Sequence, residues 1–154
     1  MMKIHLINQQ KIYPLKLQKI KALTEFLSVY INTRNKSWTD ISVIITNHKE
    51  ITKLNKKYLN KNNSTDVISF TYEPIPGEKN NYSGDIIVNI EQAMEEGSKR
   101  GNIDYEFAFY IAHGLDHLSG HNDDTFLKRY IMHSREKKWL KKAQRKKLLT
   151  NLIS

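Results

Sequence analysis

The stretch EFAFYIAHGLDHLSGHNDD, residues 106–124, runs from an apolar segment straight into three histidines, three acids and two glycines. A solvated loop needs no buried segment before it, and a packed core has little use for so many ionisable side chains. The apolar residues Phe107, Tyr110, Ile111, Gly114 and Leu118 recur with the 3.6-residue period of a helix. Asp104 is the expected N-cap of that helix and Gly120 its terminator. One turn separates His113 from His117, so both imidazoles point the same way and can share one ion. Gly120 places no side chain on that face, and Asp123 brings back a carboxylate after the turn. Three N and O ligands with a fourth position open are the donor pattern of catalytic zinc. His121, just past the glycine, is a rival third ligand on spacing alone.

Working outward, residues 3–8, KIHLIN, alternate like a strand, and Pro14 opens a helix with Leu17, Ile20, Leu23, Leu27 and Tyr30 on one side. DISVIIT, from Asp40, is a second strand. Asn47 and Glu50 form a capping pair for a short helix carrying Ile51, Leu54 and Tyr58. DVISFTY and GDIIVNI are two further strands either side of a PIPG loop at 74–77, and Asn89 with Gln92 caps the next helix. A last helix starts near Thr125, with Phe126, Tyr130 and Trp139 expected inward. Together these give an α+β fold in a single domain over residues 1–154: one mixed sheet of about four strands packed with about five helices.

The charge is concentrated at one end. Residues 1–127 hold fifteen Lys plus Arg and fifteen Asp plus Glu, whereas residues 128–147 hold ten Lys plus Arg against the lone Glu136, the whole of the net +9. Such a basic helical segment suits a polyanion partner through counterion release, as well as suiting plain solvation. Cysteine is absent, so any metal is held by His and carboxylate, and a cytoplasmic location is expected. No apolar run approaches a membrane span, and the first residues lack the order of a signal peptide. Zinc proteases of the HExxH kind place a glutamate after the first histidine; here that residue is Gly114, which disfavours peptide hydrolysis. Tyr105, Phe107, Phe109 and Tyr110 read as core at helical spacing rather than as a base-stacking platform.

HGLDHLSGHND at 113–123 is similar, in register, to HGxLHLxGYDH of the YbeY-type endoribonucleases that mature bacterial ribosomal RNA. LNKKYLNKNNSTDVISF at 54–70 resembles that family's LNxxYRxKDxPTDVLSF, SGDIIVNI at 83–90 its GDIxI segment, and Met132 with Glu136 its MxxxE. The resemblance implies a metal-dependent endoribonuclease that cuts single-stranded segments of rRNA precursors, on ribosomal particles, in rRNA maturation and ribosome quality control. It places His113 and His117 on the first two zinc ligands and Asp123, rather than His121, where the third histidine stands, with one Zn2+ per chain. Leu59 falls on the family's catalytically important Arg, Asp116 on a Leu and His121 on a Tyr. A positive group near the scissile phosphate would then come from Lys57, Lys61 or the substrate-docking surface, and Asp116 is the candidate proton acceptor, against a reading of it as ordinary helix polarity. Thr65 and Asp66 fall on the TD pair, either capping the turn into their strand or touching RNA. The alternative is a ribosome-assembly factor that binds metal and rRNA without cutting, as the loss of Arg at Leu59 would favour.

Overall fold

The computed structural model describes residues 2–78 and 81–153. The elements follow the order β1 (Lys3–Asn8), α1 (Leu17–Ser28), β2 (Trp38–Thr46), α2 (His48–Leu59), β3 (Val67–Tyr72), β4 (Tyr82–Asn89), α3 (Ile90–Arg100), α4 (Ile103–Leu118) and α5 (Phe126–Arg145), with a 3-10 turn at Val29–Ile31 after α1. This is the expected α+β fold, four strands in one mixed sheet with five helices. The sheet order is β1-β2-β4-β3. β1, β2 and β4 are parallel, and β3 pairs antiparallel to β4. Parallel strands are covered on both faces, which explains the nearly continuous apolar run at the end of β4. One face carries the main core, where Ile41, Val43, Ile86 and Val88 meet α1, α4 and α5. The other carries a small cluster of Ile51, Ile68 and Ile87 under α2.

α4 is the central helix, buried along most of its length. It sits so close to the sheet that a Cβ on Gly114 would lie 2.5 Å from Ile86 Cγ2 and 3.1 Å from Val67 Cγ2. Ser69 Oγ, on β3, donates to the Gly114 carbonyl at 2.8 Å. The glutamate of a HExxH protease has no room there. Gly120 is required for a different reason. Nothing lies within 4 Å of the Cβ it lacks, but its φ of +102° is one that other residues adopt only at a cost, and it lets the chain reverse after α4.

Asn47 and Asn89 cap α2 and α3 as expected, each accepting from the backbone N–H three residues on. Two local expectations are corrected. Asn102, not Asp104, caps α4, accepting from Tyr105 N at 3.0 Å. Asp104 instead accepts from the N–H groups of Asn151, Leu152 and Ile153, fastening the C-terminal segment to α4. Phe126 and Tyr130 are not inward; they are 82% and 65% exposed. The buried stripe of α5 runs through Met132, Glu136, Trp139, Leu140 and Ala143, and residues 126 and 130 lie off it. Trp139 does pack inward, stacked on Tyr30 with ring centroids 5.4 Å apart. Leu17, at the start of α1, is also more exposed than its periodicity implies.

Candidate metal centre

The last turn of α4 aims His113 and His117 at the loop that returns after Gly120. There Nε2 of His113 and Nε2 of His117 are 3.1 Å apart, and Asp123 Oδ2 lies 3.3 Å from the first and 3.8 Å from the second. The edge of a tetrahedron with ligand bonds of 2.0–2.1 Å is about 3.3–3.4 Å, so the spacing suits one small cation.

Protonation sharpens the fit. His113 Nδ1 faces both oxygens of Glu136, at 3.0 and 2.9 Å; when that carboxylate is ionised it only accepts, which places the ring proton at Nδ1. His117 Nδ1 likewise donates to the carbonyl of His121 at 3.0 Å. In the neutral rings both Nε2 atoms are thereby left with their lone pairs pointed at each other and at a carboxylate. Three acceptors converging in this way repel one another unless a proton or a metal cation lies between them. Burial pushes the His113 pKa down, but the hydrogen bond and charge of Glu136 outweigh it and the net shift is upward. His117 is pushed down by burial and by its neighbour His113. Burial pushes Glu136 well above the ordinary carboxylate value, with Asp116 beside it adding to the rise and His113 opposing it.

These donors form one wall of a cleft of about 450 Å³ whose other walls come from the end of α2 and the start of β3. Lys61, Leu59, Thr65 and Asp66 line it. Asp66 Oδ1 accepts from Val67 N at 2.8 Å and from Thr65 Oγ1 at 3.2 Å, so the pair caps the turn into β3. Asn89, the α3 cap, holds the same wall by donating Nδ2 to the Thr65 carbonyl and its backbone N–H to that of Asp66.

The family model described as Endoribonuclease YbeY matches residues 5–144 of this chain. The chain belongs to the YbeY family. Endoribonuclease YbeY of Petrotoga mobilis is 34% identical over 128 residues, 80% of this chain and 82% of the relative. That of Syntrophomonas wolfei is 30% identical, with 93% and 98% covered. A solution structure of a Thermotoga maritima protein matches with a TM-score of 0.56 at 20% identity, over 88% of this chain and 85% of that one, a likeness of fold.

Two of the departures from the YbeY pattern touch each other. Asp116 is fully buried, absent from the cleft lining, and its Oδ1 accepts from His121 Nδ1 at 2.9 Å and Arg135 Nε at 3.0 Å. His121 therefore turns its Nδ1 to Asp116, and among the described residues the groups able to share an ion with His113 are His117 with Asp123 and, on the α5 side, His133 with Glu136. Sequence reasoning matched Glu136 only to a motif and passed over His133 and Arg135. Glu136 had a visible signal, being the one acid in the basic segment. Arg135 had none, since its partner lies on another helix.

Proposed function

We propose that this protein is a metal-dependent endoribonuclease that cuts single-stranded segments of ribosomal RNA precursors, with one zinc ion per chain held by His113, His117 and Asp123. The observation that carries the reading is the convergence of two Nε2 atoms and a carboxylate oxygen at one cleft wall. An N2O donor set with room for a further ligand favours zinc over magnesium or calcium, which prefer all-oxygen sites. A divalent cation held there supplies positive charge to a phosphate oxygen and acidifies water.

The chain's own residues do the rest. Glu136 holds the His113 proton at Nδ1, and the His121 carbonyl holds that of His117, so both rings present Nε2 to the cleft. Lys61 lines the cleft opposite and offers an ammonium group to the RNA phosphate. Asp116 acts from behind, bearing on Glu136 rather than on the substrate. The basic surface of α5 docks rRNA within ribosomal particles in the cytoplasm, the setting of rRNA maturation and ribosome quality control.

Leu59 on the cleft lining, where the YbeY pattern has Arg, favours the second reading, a metal-binding assembly factor that does not cut. One experiment separates the two. Metal-loaded protein is incubated with an rRNA precursor fragment holding both single-stranded and duplex segments, with chelator and zinc add-back, beside Leu59→Arg and His117→Ala. The nuclease reading expects zinc-dependent cuts in the single strand, abolished in His117→Ala and raised about tenfold or more by Leu59→Arg, which adds a fixed charge at the reacting phosphate. Association with ribosomal particles without cleavage by either the parent or Leu59→Arg selects the assembly factor.

A further inference from the structure

We propose that the groove behind His113 is a base-stacking subsite, extending the metal cleft along α4 so that the unpaired bases flanking the cut rest on a stripe of rings. The proposal rests on the RNA-cleaving reading above. The groove encloses about 520 Å³ and is lined in part by Tyr105, Phe109, His133 and Lys137. Along α4, Tyr105, Phe109, His113 and His117 recur every fourth residue, which sets their rings on one face of the helix. The Phe109 ring lies nearly parallel to that of His113 with centroids 6.3 Å apart, and His133 stands edge-on to both at 5.2 and 5.3 Å. His113, which lines the cleft, is thus in ring contact with two residues that line the groove.

The sequence alone reads all four aromatic residues of early α4 as core. Phe107 and Tyr110 are, but Tyr105 and Phe109 keep part of their surface exposed on the groove side. Facing them from α5, His133 and Lys137 line the groove one turn apart, so an imidazole and an ammonium group stand beside the rings. The carboxylate in the groove, Glu106, is buried and clamped by Arg100 through two contacts of 2.8 Å, which cancels its repulsion of phosphate. Exposed rings beside the Lys137 ammonium suit a polyanion with flat apolar faces, a single nucleic-acid strand. A duplex keeps its bases stacked on each other and cannot lay them on this face. The groove therefore gives a physical cause for single-strand preference that the metal donors do not supply.

Binding of the zinc-loaded protein is measured against a short single-stranded 2′-deoxy oligonucleotide, the same strand with abasic residues, and the duplex, at several salt concentrations. The abasic strand keeps the phosphates and removes the stacking. The parent is expected to bind the base-bearing strand about fivefold or more tighter than the abasic one. Tyr105→Leu, which leaves Phe109 and its contact with His113 in place, should lose that preference and keep its zinc. Lys137→Gln should weaken both strands alike and lower the log–log salt slope by about 0.7. A parent that cleaves RNA but binds both strands equally overturns the subsite and leaves the nuclease reading standing. A parent that neither binds nor cleaves RNA overturns both. The comparison within the parent decides the matter even where a variant fails to fold.

Discussion

Asp116 and His117 are consecutive in α4, yet their side chains enter two clusters of similar residue types and opposite electrical content. On the cleft side, His113, His117 and Asp123 bring ligand atoms together with no Lys or Arg between them among the described residues. Behind the helix, Asp116 and His121 meet Arg135, whose guanidinium already supplies the cation. An acid and histidine cluster is a place for a metal only where the protein has not filled it with a charge of its own. The second cluster is fixed structure, and it stands where the YbeY pattern has an apolar Leu and a Tyr. The two meet at Glu136, which holds His113 on one side and lies against Asp116 on the other.

The sharpest way to break the comparison is to remove ligands from each cluster. His113→Ala and His117→Ala should each drop zinc from one per chain to near none and lower RNA cleavage about a thousandfold or more, since they remove the cation's charge stabilisation. Asp123→Ala should weaken zinc far more than His121→Ala. Elemental analysis of protein purified without added metal reads this out. Equal zinc loss in Asp123→Ala and His121→Ala would mean that the loop rearranges and that the two clusters share a ligand.

The second cluster should answer in stability instead. Arg135→Met strands the fully buried Asp116 and is expected to cost about 3 kcal/mol. Asp116→Leu should cost less, about 1–2 kcal/mol, because Arg135 is 28% exposed and can turn toward water. The double variant Asp116→Leu/Arg135→Met should return close to the parent, because an apolar pair replaces a buried ionic one. Chemical denaturation of all four proteins closes the cycle, with zinc content unchanged throughout. Additive losses in the double variant would show that Asp116 and Arg135 do not act as a pair.

Legibility from sequence follows how local each interaction is. The elements and their order were readable because strand alternation and helix periodicity are set within a few residues, and Asn47 and Asn89 cap helices that begin beside them. Sheet order was not readable, since β4 inserts between β2 and β3 through pairings that periodicity does not encode. Asp104 was expected as the cap of α4, but Asn102, an equally good cap residue two positions earlier, takes that place. What decides between them is a claim on Asp104 from backbone some 47 residues away. His113, His117 and Asp123 come together within one helix turn and one loop, so their spacing was informative. The Asp116–Arg135 contact joins two helices, and no spacing rule points to it.

The smallest effect, and the one that tests how the clusters are joined, is expected of Glu136→Gln. Zinc binds only neutral imidazoles, so protons compete with it, and the parent's affinity falls as pH drops through the His113 titration. Burial alone would hold that titration low, but Glu136 raises it by its hydrogen bond and charge. Replacing the carboxylate with an amide removes both, so the pH at which zinc binding is half lost should move down. On the alkaline plateau, where proton competition has vanished, affinity should instead fall by about tenfold, because the carboxylate no longer orients the ring or enriches its Nε2. The parent and variant curves of zinc affinity against pH should therefore converge on acidification. A variant curve displaced by the same amount at every pH would reduce Glu136 to packing, and the connection between the metal site and the buried Asp116 cluster would go with it.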